Sequence, residues 1–407
     1  MNELTTATAD AMSALGTLAG RSNPYPIYES LRAYGPVINL GPMALVLGYQ
    51  ECSKALREPA FVSTDADKRD ELRPGWREQA AWRSICTTML FRNDPDHERL
   101  RRFSGWAFSP GQTVGLRPVV ERLAEAAVDR LERLGAGGEP VDAMEEFACR
   151  LPVAVMCEIL GIPEEDQPTI QPWMRPVTEA LDPFGDPALL ISANNAVDAL
   201  AAYYADLVAQ RRAEPRHDLI SNLIRARDTD REVTEDELIA TFMVLLVAGT
   251  AAPFDMLGNT VSLIARYPEY MDQIRADPEF AAAFFEEDLR FDPAVQLLNR
   301  VADEDTNFFS VPIAAGTPIL LLTAAGNRDA RRYEDPGRFD PYRQNIQPLT
   351  FGVGAHYCLG SSVGRLMGVA ALTALVRRFK VVKISGEPSY RNQLVQRGFK
   401  QLPVAFG

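Results

Sequence analysis

The longest helical pattern in the chain runs from Thr234 to about Arg266. It opens with a T-x-x-E capping box that Glu237 closes, continues as a largely apolar run, and stops before Tyr267 and Pro268. About 31 residues at ~1.5 Å per residue give a rod of roughly 45–50 Å, which is long enough to cross a whole domain. We therefore predict one long central helix around which the rest of the chain must pack.

Composition excludes several classes of protein. The chain has 407 residues, of which 46% are hydrophobic and 24% charged, so it has the means to bury a large core. Its net charge of −13 argues against nucleic acid or an anionic membrane as the main partner, because both attract clustered positive charge. The five cysteines are scattered and form no C-x-x-C pair, as in proteins of a reducing cytosol.

Targeting signals are not evident either. The N-terminus lacks the basic start and apolar stretch of a signal peptide. The longest apolar run, near residues 242–249, is too short to span a bilayer. We expect a soluble cytoplasmic protein, without a membrane anchor and monomeric.

The remaining elements are mostly helical. An amphipathic helix is predicted from Pro118 to Leu134, and a last helix from about Cys358 to Phe379. Short strands are predicted between Arg300 and Leu322, an ordered irregular loop from Asn327 to Gln347, and a hairpin from Asn392 to Phe406. No linker separates these parts, so the chain is predicted to be one domain, residues 1–407, mainly α with a small β region.

The segment FGVGAHYCLG, residues 351–360, carries the most specific pattern. Its glycines allow the backbone to turn tightly and to approach a flat ligand closely. Cys358 lies where a helix is expected to begin, and the positive end of the helix dipole favours a thiolate there. A lone cysteine is more often a small buried apolar residue, so the pattern around Cys358 decides between the two interpretations.

This F-x-x-G-x-H-x-C-x-G pattern resembles the haem-binding signature of the cytochromes P450, and every fixed position is present. The resemblance covers nearly the whole chain. It implies a cytochrome P450-like fold in which haem b lies between the long central helix and the helix of the cysteine loop, with Cys358 as the axial iron ligand. Further haem contacts are implied for Phe351, Gly352, His356, Gly360 and Ala248.

Two more motifs extend the resemblance. Glu287 and Arg290 form an E-x-x-R motif, and their i,i+3 spacing puts them on one helix face. Arg338 lies in PGRF, which resembles the loop whose arginine joins that pair in a buried structural network. The alternative for Glu287 and Arg290 is an ordinary surface ion pair.

The resemblance also implies cationic partners for the haem propionates. His97 and Arg101, spaced i,i+4, match two of them, and Arg300 and His356 match the others. Arg99 and Arg102 lie on other faces of the same helix; they are either solvated or part of a basic patch that docks an acidic electron-transfer protein such as a ferredoxin.

The long central helix departs from the family pattern, which places an acid and a threonine after Ala-Gly. Here the positions hold Ala251 and Ala252, and neither side chain transfers a proton. Thr250 is two residues early, about 200° round the helix, and Pro253 removes a helical N–H and is expected to kink the helix. Asp255, one turn beyond Ala251, either replaces the missing acid in part or pairs with a basic residue elsewhere.

A substrate cavity is expected from several separate segments. By resemblance these are the loop around residues 81–90, the region around residues 177–190, one face of the long helix, the strand after E-x-x-R and the C-terminal hairpin. Gln296 is the polar exception and is a candidate for orienting a carbonyl or hydroxyl group. The named candidates are Val244, Val247, Ala251, Val295, Gln296, Leu297, Leu394 and Val395.

Several functions remain open. The first is monooxygenation, either hydroxylation or epoxidation, of a small organic metabolite that is free or tethered to a carrier protein. It would use O2 and ferredoxin electrons, with protons supplied by the substrate and ordered water. The others are oxidative coupling, ring closure or desaturation without oxygen insertion, peroxide-driven oxidation, haem-thiolate isomerisation or dehydration, and a non-catalytic haem-binding protein.

Overall fold

The computed structural model describes residues 3–180, 182 and 188–407. In chain order, α-helices α1 to α17 span Glu3–Leu15, Leu18–Ser22, Tyr25–Arg32, Tyr49–Ala55, Ala66–Leu72, Ala80–Thr87, Asp96–Gly105, Pro110–Gly135, Arg150–Leu160, Gln167–Glu179, Leu189–Ala213, Leu219–Asp230, Glu235–Arg266, Met271–Ala276, Pro278–Phe291, Thr323–Gly326 and Ser361–Arg378. A π-helical turn spans Met144–Ala148, and short 3-10 turns span Trp76–Glu78, Met89–Phe91, Trp106–Phe108, Glu164–Asp166, Pro268–Tyr270 and Leu349–Phe351.

The strands are short and few, which confirms the prediction of a mainly α chain with a small β region. In chain order, β1 to β12 span Val37–Asn39, Ala44–Val46, Phe61–Val62, Val141–Asp142, Leu298–Ala302, Thr306–Phe308, Val311–Ile313, Pro318–Leu321, Val382–Ile384, Ser389–Tyr390, Phe399–Gln401 and Pro403–Phe406.

The described residues form two compact units. The sheet unit comprises residues up to 62, 120–150 and 252–407, and it contains all the strands given above. The helical unit comprises residues 63–119 and 151–251. Both units are assembled from separate stretches of chain, and α8, α9 and α13 contribute residues to both. The single domain expected from the sequence stays a prediction.

The main sheet of the sheet unit has the strand order β1-β2-β8-β5-β3. Strands β2 and β8 pair in parallel, and the other pairs are antiparallel. Alternate residues of the two parallel strands enter different apolar clusters: Leu45 and Leu320 belong to one, and Val46 and Leu321 belong to the other. Because successive side chains of a strand point to opposite faces, this sheet is covered on both faces.

Two predicted helices begin elsewhere. Helix α8 starts at Pro110, eight residues before its predicted start at Pro118, so Pro118 lies inside the helix. Pro118 deprives the Val114 carbonyl of its helical partner, but Val114 is 69% exposed, so water satisfies that carbonyl at little cost. Helix α17 starts at Ser361 and not at Cys358, because Gly360 is its N-terminal cap residue.

The predicted C-terminal hairpin is wrong. Strand β11 pairs with β10, whereas β12 pairs with β9 and β4. The connecting residue Leu402 is tied to distant chain, since its N–H donates to the Asp142 carboxylate (3.0 Å) and its carbonyl accepts from the Ala143 N–H (2.9 Å). These partners lie about 260 residues earlier, so local alternation did not reveal them.

Helix α13 has the predicted start. The Glu237 N–H donates to the Thr234 hydroxyl (3.2 Å) and the Thr234 N–H donates to the Glu237 carboxylate (2.9 Å), which confirms the capping box. Among the described helices it is the one long and apolar enough to cross a membrane by length and composition, and 67% of its most apolar window is buried within the protein.

A buried ion pair organises the irregular stretch after α16. Glu287 and Arg290 on α15 are fully buried, with Nη2–Oε1 and Nε–Oε2 distances of 2.6 and 2.7 Å. The remaining guanidinium hydrogens donate to the carbonyls of Asn327, Pro336 and Arg338 at 2.9–3.1 Å. All five donors of Arg290 are therefore satisfied inside the protein, which excludes the surface ion pair.

The side chain of Arg338 does not join this network, so that prediction is wrong. It is 64% exposed and pairs with Asp335 and Asp340. Its contribution is the backbone carbonyl that accepts from Arg290. The second cation near Glu287 is Arg343, whose side chain is 10% exposed and whose Nε lies 3.6 Å from the carboxylate.

We predict that Arg290→Ala lowers the free energy of unfolding by about 3–5 kcal/mol, because the Glu287 carboxylate stays buried without its partner. Arg338→Ala is the matched control and is expected to cost at most about 0.5 kcal/mol, since it removes only exposed ion pairs. Urea unfolding of the two variants measures both values. Equal midpoints for the two variants would contradict the assignment of the network to Arg290.

Candidate active site

The cysteine loop is a tight turn closed by its own backbone. The Cys358 N–H donates to the Phe351 carbonyl (2.9 Å), and the loop bends at Gly352 and Gly354, which have φ angles of +67° and +81°. A Cβ atom at position 354 would meet the Leu56 carbonyl oxygen at 2.6 Å, so both the φ angle and the close approach require glycine. The turn leaves the Cys358 side chain exposed, three residues before α17.

The loop is anchored to α15 and α17 by Arg365. Its guanidinium forms an ion pair with Glu286, lies 4.5 Å from the centre of the Phe351 ring, and donates to the Tyr357 hydroxyl (3.3 Å). His356 and Gly360 are half-buried in the same loop. The position of the thiol is therefore set by side-chain contacts on both sides of the turn as well as by the backbone.

Arg300, on β5, is a buried cation in the same unit. It is 9% exposed, and burial lowers the pKa of its guanidinium to about 10. Its Nη1 donates to the Asn299 carbonyl (2.8 Å), and no carboxylate of the described residues pairs with it. An arginine stays protonated in proteins, so this position favours an anion from outside the chain.

These observations fit an iron porphyrin. The exposed Cys358 thiol on a glycine turn is a ligand suited to iron, and the uncompensated Arg300 suits a carboxylate such as a propionate. Cys358 and Arg300 both lie in the sheet unit, and the sequence predicted a haem contact for each of them.

His97 and Arg101 lie one turn apart on α7 in the helical unit. His97 is 3% exposed, and its Nδ1 lies 3.2 Å from the Asp94 carboxylate; Arg101 is half-buried. Both side chains have the spacing that one face of a helix requires. Their role as propionate ligands stays a prediction.

The proposed basic patch on α7 is largely neutralised. Arg99 donates to both Glu237 oxygens at 2.6 and 3.1 Å and also to Asp96 at 2.8 Å. Arg102 is 64% exposed and lies 3.3 Å from Glu232. Arg99 is therefore a tie between α7 and the start of α13, and it offers little free positive charge to a redox partner.

Two candidates for proton delivery are engaged within the protein. The Thr250 hydroxyl is fully buried and donates to the Leu246 and Val247 carbonyls at 2.9 and 3.2 Å. Asp255 is also fully buried and forms an ion pair with Arg391. The sequence left open whether Asp255 replaces the missing acid or pairs elsewhere, and the structure favours the pair. The roles of Thr250 and Asp255 in proton delivery stay predictions.

Between residues 248 and 252, the accessible residues of α13 are small. Ala248 is exposed and Ala252 half-buried, whereas Ala251 is 2% exposed. Gly249 points elsewhere, because a Cβ atom there would meet the Met156 sulfur at 2.5 Å. Helix α13 is continuous through Pro253, and the expected kink stays a prediction.

The segment after α15 is largely buried. Gln296 is 1% exposed; its amide donates to the Pro293 carbonyl (2.7 Å) and accepts from the Tyr28 hydroxyl (3.4 Å). These hydrogen bonds hold Gln296 within the protein, and its role in orienting a substrate stays a prediction. Leu297 and Leu394 lie in an apolar core cluster of the sheet unit, with Val395 packed against it. Val295 is half-buried and bridges to the backbone of residue 396.

A cavity of about 470 Å³ lies in the helical unit. Its wall includes residues 80, 83, 84, 86 and 87, which form helix α6 where a loop was predicted. On α13 the wall includes Asp236, Ile239, Ala240 and Met243. Val244 and Val247 are not part of this wall, and their role in a substrate cavity stays a prediction. Residues 181 and 183–187 of the predicted 177–190 wall lie outside the described residues.

Sequence reasoning missed Arg69 on α5, whose guanidinium is buried against aromatic rings. Its guanidinium lies 3.9 Å from the centre of the Trp82 ring, a contact across thirteen positions with no helical or strand period. It also missed Arg365 and Arg343, which act through aromatic rings and carboxylates of distant elements. A lone arginine in a polar stretch gives no signal of burial.

The chain resembles known proteins along nearly its whole length. A family model described as Cytochrome P450 matches residues 29–401. The Vitamin D(3) 25-hydroxylase of Pseudonocardia autotrophica is 33% identical, and the alignment covers 95% of this chain and 94% of that protein.

Two solved structures are similar in fold. P450BioI, crystallised with hexadec-9Z-enoic acid ligated acyl carrier protein, is 30% identical with a TM-score of 0.88 and covers 96% of this chain and 99% of its own. CxnD, a cytochrome P450 enzyme for C–S bond formation in chuangxinmycin biosynthesis, is 30% identical with a TM-score of 0.84 and covers 94% of each chain. The glycine turn that presents Cys358, the buried Glu287–Arg290 pair and these alignments agree, and the chain belongs to the cytochrome P450 family, whose members are haem b oxidoreductases.

Proposed function

We propose that this chain is a haem-thiolate monooxygenase that hydroxylates or epoxidises a small organic compound, in keeping with a role in secondary metabolism. The observation that carries the proposal is the exposed Cys358 on its glycine turn, supported by the uncompensated charge of Arg300 in the same unit. Cys358 would hold the haem iron through its thiolate, and the bound haem would supply reductive activation of O2. One oxygen atom enters the substrate, and the other leaves as water with two electrons and two protons.

The protein groups have separate roles in this proposal. Cys358 would hold the iron, and Arg300, His356, His97 and Arg101 would hold the propionates. Ala248 would contribute to the haem site and, with Ala252, would leave room for O2 and substrate, because neither side chain extends beyond a methyl group. The buried ion pair of Glu287 and Arg290 keeps the irregular stretch before the cysteine loop in place.

Proton delivery is the unusual step. The alanines at 251 and 252 have no exchangeable proton, and the hydroxyl of Thr250 and the carboxylate of Asp255 are bonded elsewhere. We infer that ordered water or a hydroxyl group of the substrate delivers the protons. A substrate lacking such a group is then expected to be oxidised with poor coupling of electrons to product.

The partners and the compartment follow from the family and its relatives. We propose a ferredoxin-type electron donor, a monomeric enzyme and a cytoplasmic location, with no nucleic acid or membrane as partner. The acyl carrier protein complex of P450BioI supports a substrate that is tethered to a carrier as one possibility.

Oxidation without oxygen insertion is the second candidate. Coupling, ring closure or desaturation removes electrons and hydrogen from the substrate and places other demands on proton relay by the protein. The apolar positions 251 and 252 favour it, and the similarity to CxnD supports it.

We predict that the purified protein, reduced under carbon monoxide, gives the strongly red-shifted Soret band of a thiolate-ligated haem. Cys358→Ser is expected to lose that band, whereas Cys86→Ser, which changes a cysteine of the helical unit, is expected to keep it. Absorbance spectra of the folded proteins provide the measurement. A normal red-shifted band in Cys358→Ser would refute the ligand assignment.

We predict that Ala252→Thr raises the fraction of reductant electrons recovered in product, because it restores a hydroxyl on the half-buried side of α13. A positioned proton donor contributes roughly 10²–10⁴-fold to a rate, so a gain in product rate up to about 10²-fold is in range. Thr250→Val is the control and should leave coupling unchanged, since the hydroxyl of Thr250 is bonded within its own helix. If coupling rises in neither variant and stays low in both, substrate-assisted proton delivery followed by relay at this helix is refuted.

We predict that product made under ¹⁸O2 contains one labelled oxygen atom. Mass spectrometry of the product distinguishes the two candidate functions, since coupling or desaturation consumes O2 but leaves the product unlabelled. Hydrogen peroxide without reductant serves as the comparison; product formed at the full rate from peroxide alone would replace the ferredoxin-dependent proposal by a peroxide-driven one.

A further inference from the structure

Two adjacent glutamates of α15 have different partners. Glu287 is fully buried and pairs with Arg290 of the same helix. Glu286 forms an ion pair with Arg365 of α17, and the side chains of Glu286 and Arg365 are 28% and 33% exposed. Because water screens partly exposed charges, an ion pair of this kind contributes little to the free energy of unfolding. Stability is therefore a weak reason for the second pair, and its position in the sheet unit suggests another.

Both carboxylate oxygens of Glu286 accept hydrogen bonds from the Arg365 guanidinium. The Arg365 Nε donates to Oε1, and its Nη2 donates to Oε2 (3.3 Å). A contact at two points fixes the plane of a guanidinium, which a single hydrogen bond does not. The carboxylate of Glu286 therefore determines how the charge of Arg365 is oriented.

The same guanidinium contacts the cysteine loop. Its carbon lies 4.5 Å from the centre of the Phe351 ring, and its Nη1 donates to the Tyr357 hydroxyl (3.3 Å). The Phe351 carbonyl accepts from the Cys358 N–H (2.9 Å), and Tyr357 precedes Cys358 in the chain. Arg365 thus contacts two residues of the loop that hold Cys358, whereas the ion pair of Glu286 is with Arg365.

The arrangement puts a positive charge against the loop and a negative charge one side chain further away. An arginine keeps its proton in proteins, so the positive charge is permanent. A nearby cation stabilises the reduced state of an iron site, which is one charge more negative than the oxidised state, and a nearby anion opposes it. Arg365 and Glu286 therefore act on an iron at Cys358 in opposite directions.

We propose that Arg365 and Glu286 are positioning residues that together set the reduction potential of the haem iron held by Cys358. Arg365 raises the potential, and Glu286 limits that rise by compensating the guanidinium charge. Neither side chain binds substrate or haem in this assignment. The inference rests on the proposed function because it requires haem at Cys358. It adds that α15 acts on the cysteine loop twice, through Glu287 on its position and through Glu286 on its charge.

The test is a potentiometric titration of the haem-loaded protein with small redox dyes, in the absence of a ferredoxin. Glu286→Gln keeps an oxygen that accepts from Arg365 but removes the negative charge, so the potential is expected to rise. Arg365→Gln removes the cation and is expected to lower the potential, whereas Arg365→Lys keeps the charge and is expected to stay close to the wild type. Each loss of charge is expected to change the equilibrium constant for reduction roughly 3- to 10-fold, or about 30–60 mV.

Two control variants make the same charge changes at a distance from the loop. Glu279→Gln lies at the exposed start of α15, and Arg377→Gln lies at the exposed end of α17. Both are expected to keep the wild-type potential. The red-shifted band under carbon monoxide, recorded for every variant, checks that the thiolate is still bound. Where Arg365→Gln loses that band, the sign of the shift in Glu286→Gln decides alone.

Opposite shifts in Glu286→Gln and Arg365→Gln support the inference, because a general loss of order in the loop does not depend on the sign of the charge removed. Shifts in the same direction overturn it, as does an equal shift in either control. Unchanged potentials also overturn it, and slower reduction by a ferredoxin in those variants would assign Arg365 to partner docking. A wild type without the red-shifted band overturns the proposed function and this inference together, whereas the absence of opposite shifts in a protein with that band overturns this inference alone.

Discussion

The buried ion pair between Glu287 and Arg290 holds the part of the chain on which the active site depends. The stretch from Asn327 to Gln347 has no regular structure, and it meets α15 through three backbone carbonyls that accept from one guanidinium. Asn327 passes this order on, since its side chain accepts from the Leu349 N–H (2.7 Å) immediately before the cysteine loop. The place of Cys358 is thus set from two sides, by this network and by the start of α17. An apolar pair of similar volume often offers as much stability as a buried ion pair, but it cannot bind the three carbonyls that Arg290 holds.

Local signals in the sequence predicted much of this arrangement. The errors arose where an element depends on residues distant in sequence. The capping box at Thr234, the strands between residues 298 and 321 and the motif pair on α15 are all decided within a few residues, and the structure has them. Arg338 was assigned the wrong role because what Arg290 binds there is a backbone carbonyl, which every residue type supplies. The hairpin prediction failed because β12 pairs with a strand at residues 141–142, which no local period reports. These errors do not affect the family assignment, because it rested on the short motif around Cys358.

Helix α13 contains one feature that the local period predicted correctly and one that depends on a contact distant in sequence. The helical period placed Thr250 about 200° away from the expected threonine position, Ala252, and its hydroxyl is indeed bonded to its own helix. The same period put Asp255 on the face of Ala251, yet its carboxylate pairs with Arg391, 136 residues later in the chain. Gly398 closes over it, since a Cβ atom there would meet the Asp255 carboxylate at 1.9 Å. The period correctly gives a direction on the helix, but burial and partners decide whether a group is available for chemistry.

Three buried arginines differ in how far the protein compensates their charge. Arg290 has a carboxylate and three carbonyls for its five donors, so its charge is fully used inside the chain. Arg300 has one carbonyl, and Arg69 has two aromatic faces and a thiol. Because an arginine does not lose its proton, the last two carry a desolvation cost that an external anion relieves. Haem propionates supply that anion for Arg300 under the proposed function. Arg69 belongs to the helical unit, where the faces of Trp82 and Phe91 stabilise the cation while its Nε has no hydrogen-bond partner, so aromatic contact takes the place that a carboxylate holds at Arg290.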